Sequence, residues 1–244
     1  MALQLRRYEV PIEGLDPAHD GLTIAHLTDI HVGMLTPHKK IRRAFELAQA
    51  ENPSLLVMTG DFLCYNKKFV GALAELCAGI TTPSYAVLGN HDYWTDAEGA
   101  RMALEKAGVS VLRNQHTELM LNHSPFSIVG IDDAITNHHD PKRAFAGVRR
   151  DGSRLVLTHA PNLADRCDAE GPSLILAGHT HGGHVHIPRV TPALFRRVTG
   201  ARYLKGWYDV GRSKLYVNCG VGSSSVPIRA GAPAEVAILT LRAA

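Results

Sequence analysis

Five short apolar runs in this 244-residue chain each end in a polar cluster: IAHLTDIH, LLVMTGD, YAVLGNHD, RLVLTHAP and LILAGHTH. Between them the clusters carry Asp29, His31, Asp61, Asn90, His91, Asp92, His159, His179 and His181. Carboxylates, imidazoles and an amide carbonyl suit borderline to hard divalent ions such as Mn, Fe or Zn. Asp29, His31, Asp61, Asn90, His159, His179 and His181 are too many donors for one tetrahedral site. They suit two ions that share a carboxylate. Two ions about 3.5–4 Å apart can clamp a phosphoryl group and make a hydroxide nucleophile at neutral pH.

Such donors need elements that bring them together. Strand-like runs are expected at Ile24–Leu27, Leu55–Met58, Tyr85–Leu88, Phe126–Val129, Leu155–Leu157, Leu174–Ala177, Leu215–Val217 and Val236–Leu241. Ile41, Ala44, Phe45 and Ala48 follow the i, i+3, i+4, i+7 spacing of a helix, as do Ala100, Ala103, Leu104 and Ala107. Thr95 with Glu98 reads as a capping box for the second of these, and Val70, Leu73, Ala74 and Cys77 mark a further helix. Strand and helix alternate early and strands crowd late, which predicts an α/β core. In open α/β sheets ligands bind at the carboxyl ends of the strands, so five strands in one sheet would carry all the clusters to one rim. An extended His179-Thr180-His181 would present both imidazoles on one face. With no repeat, linker or low-complexity segment, residues 1–244 are expected to form a single domain.

Bulk composition narrows the class. Hydrophobic residues make up 45% and charged residues 20%, as in ordinary globular proteins. The net charge of +3 and 6% aromatic content offer no basic, stacking groove and disfavour nucleic acid as a partner. Cys64, Cys77, Cys167 and Cys219 are scattered without a C-x-x-C pair, which suits reduced thiols. MALQLRRYEV lacks an apolar export core, and no run approaches the roughly 20 apolar residues of a membrane span. A cytoplasmic location is expected, with peripheral contact to the inner membrane as a further option.

Asp29-Ile30-His31, Gly60-Asp61, Gly89-Asn90-His91-Asp92, His159 and Gly178-His179-Thr180-His181 resemble, in order and spacing, the five signature blocks of the calcineurin-like metallophosphoesterases. The segment from Tyr8-Glu9-Val10 through Asp20-Gly21-Leu22 resembles a bacterial phosphodiesterase branch related to UDP-2,3-diacylglucosamine diphosphatases. So do Gly182-Gly183, Gly220-Val221-Gly222 and Pro227-Ile228-Arg229. The resemblance implies a four-layer α/β/β/α sandwich with two mixed sheets, the metallophosphoesterase fold. It also implies one ion on Asp29, His31, Asp61 and His181 and another on Asp61, Asn90, His159 and His179, with Asp61 bridging. The expected reaction is hydrolysis of a phosphodiester or pyrophosphate by a metal-bridging hydroxide, on a small-molecule or lipid-linked substrate. A UDP-2,3-diacylglucosamine-type diphosphatase of lipid A synthesis is one alternative, and an inactive metal-binding scaffold is another.

Roles for the remaining residues follow. Asn90 and His91 would meet substrate, His91 as the general acid at the leaving oxygen, and Asp92 would fix its tautomer. Arg229 is either an anion contact for substrate or a structural ion-pair partner. His26, inside a strand, is expected to be a core histidine, and His138-His139-Asp140 a surface cluster. His184 and His186 either line the pocket or make ordinary strand contacts. Cys64, three residues after Asp61, is read as a buried thiol, although a metal-proximal one is conceivable. Tyr65, Asn66, Lys67 and Lys68 read as a loop within possible reach of substrate phosphates. The stretch from Arg189 to Tyr208 mixes apolar and basic residues without a clean helical stripe, and reads as a packed surface excursion or as a membrane-facing segment.

Overall fold

The computed structural model describes residues 3–224 and 228–244; of the Pro227-Ile228-Arg229 block, Pro227 therefore lies outside the described residues. The first sheet contains β1 (Gln4–Ile12), β2 (Thr23–Leu27), β3 (Leu55–Thr59), β4 (Ser84–Val87), β5 (Val109–Val111) and β12 (Glu235–Ala243) in the order β1-β12-β2-β3-β4-β5. The second contains β6 (Gln115–Leu121), β7 (Ser124–Ile131), β8 (Ser153–Thr158), β9 (Leu174–Ala177), β10 (Gly206–Val210) and β11 (Ser213–Val217) in the order β10-β11-β9-β8-β7-β6. Both sheets are mixed. β2, β3, β4 and β5 run parallel, as do β7, β8, β9 and β11, whereas β12 lies antiparallel to β2, β6 to β7, and β10 to β11.

Strand β3 shows why the layers form. Leu55, Leu56, Val57 and Met58 are all buried because alternate side chains serve different layers. Leu56 and Met58 join α1 (His38–Ala50), α2 (Val70–Cys77) and α4 (Ala97–Lys106) in one core. Leu55 and Val57 meet Leu155, Leu157, Leu174 and Leu176 of the second sheet in another. A third core packs the far face of that sheet on α5 (Pro141–Phe145) and α6 (Ala164–Asp168). The result is the expected α/β/β/α sandwich.

Several local expectations change. Thr95 ends α3 (Asn90–Thr95) instead of capping α4; the cap is Asp96, whose carboxylate accepts from the Gly99 N–H at 2.9 Å. A further helix, α7 (Val190–Thr199), forms within the basic stretch. His26 lies in the core on the inter-sheet face of β2, with Nε2 2.8 Å from Thr59 Oγ1; burial pushes its pKa down to about 3. His138 stacks on Tyr93, and Asp140 caps α5 through the Arg143 N–H, so that cluster serves the surface.

Candidate active site

The five clusters do not share one sheet. Asp29 and His31 follow β2, Asp61 follows β3, and Asn90 opens α3 after β4, all in the first sheet. His159 follows β8, while His179 and His181 follow β9, in the second. Because the sheets pack face to face, the carboxyl ends of these strands converge on one rim.

Two donor groups meet there. In the first, His31 Nε2 and His181 Nε2 lie 3.0 Å apart, and Asp29 Oδ1 lies 3.4 Å from His181 Nε2. In the second, His159 Nε2 lies 3.1 Å from Asn90 Oδ1 and 3.2 Å from His179 Nδ1. Asp61 Oδ2 stands between them, 3.6 Å from His31 Nε2 and 3.3 Å from His159 Nε2. Each group therefore draws side chains from both sheets.

Neighbouring groups hold these donors in place. The His159 Nδ1–H donates to the Thr59 carbonyl at 2.7 Å, which turns Nε2 toward Asp61 and Asn90. Asp29 Oδ2 accepts from Thr28 Oγ1 at 2.8 Å and from the His179 N–H at 3.0 Å. Asp29 Oδ1, in contrast, is buried with no hydrogen-bond partner. A buried acceptor without a partner costs free energy, and this one faces two imidazole nitrogens. The donor set thus fits a cation placed among them.

Burial and mutual charge set the protonation of the donors. Burial lowers His31 to about 3 and, with His159 adding, His179 to about 4, so both rings are neutral. Burial, then His31 and Arg229, hold His181 well below the ordinary histidine range. Burial works against charge on His159, yet Asp61 raises it to about 10. Asp61 is likewise opposed by burial, but His159 and His31 keep it below the usual carboxylate range. Burial raises Asp29 to about 6.

The backbone at these residues is unusual. Asp29, His31, Asp61, His179 and His181 all have φ between 48° and 73°. Each such non-glycine conformation costs on the order of 1–3 kcal/mol and persists where surrounding structure enforces it. The expected extended His179-Thr180-His181 is consequently a tight turn, with Thr180 helical and its hydroxyl donating to the Leu204 carbonyl. Two glycines permit the close approaches: a Cβ on Gly89 would collide with the Asp61 carboxylate, and one on Gly178 with Thr28 and Asp29.

Two proposed roles are corrected. Asp92 does not touch His91. Its buried carboxylate accepts the backbone N–H groups of Asp61, Phe62, Leu63 and Gly89 at 2.8–3.0 Å, clamping one donor loop to another. Arg229 is 2% exposed, and its guanidinium is turned inward. Its Nη1 donates to the Cys219 carbonyl at 2.6 Å and its Nη2 to the Gly222 carbonyl, with Nη2 2.9 Å from His181 Nδ1. It therefore positions the His181 ring. No carboxylate pairs with it among the described residues, so it is no ion-pair partner either.

His91 sits at the mouth, its N–H on Asp61 Oδ1 at 2.9 Å and its ring edge-on to His31, Tyr65 and Trp94. Cys64 lies beside His31 and His91; burial, then Asp61, pushes its thiol up to about 11. His184 stacks on His181 at 4.7 Å, and His186 Nδ1 lies 3.3 Å from the Gly182 carbonyl. Sequence reasoning overlooked Trp94 and Asp133. Asp133 is fully buried, acts electrostatically on His159 and His179, and has one oxygen without a partner. Its signal was present, since Gly130-Ile131-Asp132-Asp133 closes β7 with the same apolar-to-acidic switch. A cavity of about 370 Å³ opens beside His179, whereas a larger one of about 600 Å³ lies between Tyr8 and Trp207, apart from the donors.

A two-sheet sandwich with two donor groups on its carboxyl rim defines a class of metal-dependent hydrolases. Comparison with known proteins is specific: a model of the calcineurin-like phosphoesterase family matches residues 22–183. The Bacillus subtilis metallophosphoesterase YkoQ is 29% identical over 230 residues, covering 90% of this chain and 83% of that protein. The Escherichia coli phosphodiesterase YaeI is 30% identical over 206 residues, covering 82% and 75%. Among solved structures, the Haemophilus influenzae NAD nucleotidase aligns with a TM-score of 0.55 at 13% identity, covering 83% of this chain. The chain spans only 46% of that protein, and the likeness concerns the fold alone. The chain belongs to the calcineurin-like phosphoesterase family and is a metal-dependent phosphohydrolase. Among the described residues, no helix is long and apolar enough to cross a membrane.

Proposed function

We propose that the chain hydrolyses phosphodiester or pyrophosphate bonds at a dinuclear centre, with Asp61 as the shared ligand. The observation that carries this reading is the place of Asp61 Oδ2 between His31 and His159. Asp29, His31 and His181 would complete one site, and Asn90, His159 and His179 the other. Mn, Fe and Zn all suit these donors. When bound, two such ions supply Lewis acidity and a nucleophile at neutral pH.

The chain's own residues do the rest. Asn90 and His91 orient the phosphoryl group at the mouth. His91 delivers a proton to the leaving oxygen or stabilises it, a role worth typically ~10²–10⁴ in rate. The cavity of about 370 Å³ beside His179 has room for a small-molecule substrate or the head of a lipid-linked one. A diphosphatase acting on UDP-2,3-diacylglucosamine is the lipid-linked form of the reading, and a cytoplasmic single-domain enzyme spanning residues 1–244 its setting. An inactive scaffold is less well supported, because all seven donors converge.

Metal analysis coupled to hydrolysis of bis-p-nitrophenyl phosphate and p-nitrophenyl phosphate tests the proposal. Near two metals per chain, with chelator-sensitive turnover faster on the diester, is the expected result. A chain that stays metal-free and inert after incubation with Mn, Fe and Zn would overturn it.

A further inference from the structure

Helix α7 has an apolar side that nothing among the described residues covers. Val190, Leu194 and Val198, spaced i, i+4, i+8 along that side, are 57%, 57% and 71% exposed. The segment before it exposes Val185 and Ile187. Ile228, also exposed, lies two residues before Ala230, whose carbonyl accepts the His186 N–H of that segment at 2.6 Å. The adjoining side of α7 is anchored: Thr191 is buried, and Thr191 and Phe195 pack over Gly183. Aliphatic side chains gathered this way on a protein surface mark an interaction site.

The charge around the patch identifies the partner. Residues 171–208 hold Arg189, Arg196, Arg197, Arg202 and Lys205 and not one Asp or Glu. Arg202 is paired with Asp165 at 2.8 Å, whereas Arg189, Arg196 and Arg197 have no carboxylate partner among the described residues. A second copy docked across a two-fold axis would bring these like charges together. An apolar stripe flanked by Arg197, with Arg189 before the helix and Arg196 further round it, instead suits lipid tails beside anionic headgroups.

We propose that α7, with Val185, Ile187 and Ile228, docks the protein onto an anionic lipid bilayer. This goes beyond the hydrolytic reading and does not depend on it. Docking there would also have a consequence for access, because Thr199 and Ala201 at the end of α7 line the cavity that opens beside His179. That cavity would then open at the lipid surface.

Vesicle flotation of the full chain tests the proposal, using phosphatidylcholine alone and an equal mixture of phosphatidylcholine and phosphatidylglycerol. The wild type should float with the anionic vesicles and not with the neutral ones, and added salt should release it. Leu194→Glu with Val198→Glu, and separately Arg196→Glu with Arg197→Glu, should each lower binding on the order of tenfold or more. All four positions are exposed, so melting temperature should stay at the wild-type value. Should the apolar pair fail to fold, the arginine pair decides. A wild type that floats with neither vesicle, or variants that float as it does, would overturn the proposal. Sedimentation equilibrium guards the remaining case: a wild-type dimer that the apolar pair converts to monomer would assign this face to a second copy instead.

Discussion

Replacing Asp92 by Asn separates a structural carboxylate from a catalytic one. Asp92 Oδ1 accepts from the N–H groups of Phe62 and Leu63, and Oδ2 from those of Asp61 and Gly89. Burial, with Asp61 adding, raises this carboxyl to about 7, against the pull of the Gly89 and Leu63 N–H groups. An amide can satisfy only one such pair. Its NH₂ group would face two N–H donors, so two charge-assisted bonds at about 1.5–3 kcal/mol each are lost. The expected destabilisation is on the order of 3–6 kcal/mol, a large share of the ~5–15 kcal/mol typical of a folded domain. At about 2–4 °C per kcal/mol for a chain of this size, the melting temperature should fall on the order of 10 °C or more. Metal content should fall with it, because the clamp joins the Asp61 loop to the Gly89-Asn90 turn. Differential scanning calorimetry at pH 8.5, where the carboxyl is ionised, with metal analysis on the same preparations reads both. A variant that keeps the wild-type melting temperature and both metals, yet loses turnover, would refute this reasoning and place Asp92 in service of His91.

Two further outcomes are expected. His91→Gln should retain both metals and lose ~10²–10⁴ of its turnover, read by metal analysis beside steady-state hydrolysis of the diester; loss of the metals would make His91 a ligand. Burial pushes Cys77, Cys167 and Cys219 up to about 12 and Cys64 up to about 11. Ellman's reagent at pH 8 should therefore find no fast thiol in the folded protein and all four after denaturation, and a rapidly reacting thiol in the native state would contradict the burial described.

Local chemistry was legible without coordinates. A strand that ends in Thr-Asp-Ile-His or Gly-Asn-His-Asp declares both its apolar body and its polar tip, and the expected strands fall on β2, β3, β4, β7, β8, β9, β11 and β12. The helical spacing that marked α1 and α4 held because each buries one apolar stripe. Edge strands β1, β5, β6 and β10 escaped notice, since they are short or only partly buried and no apolar run forms. Helix α7 escaped for a related reason: its aliphatic stripe points outward, and its anchored side rests on Thr191 and Phe195, too few apolar residues to set a period.

The sequence by itself determined which side chains could bind metal, and that each would stand at the carboxyl end of a strand. Residue type and strand periodicity are local properties, and the chain states them directly. Only the tertiary structure decided that each donor group is completed across two sheets, that Asp92 clamps backbone and leaves His91 alone, and that Arg229 turns inward to hold His181. Those outcomes depend on how two sheets pack and on left-handed turns held in place by neighbours distant in the chain. Such forces act between residues that the sequence keeps far apart.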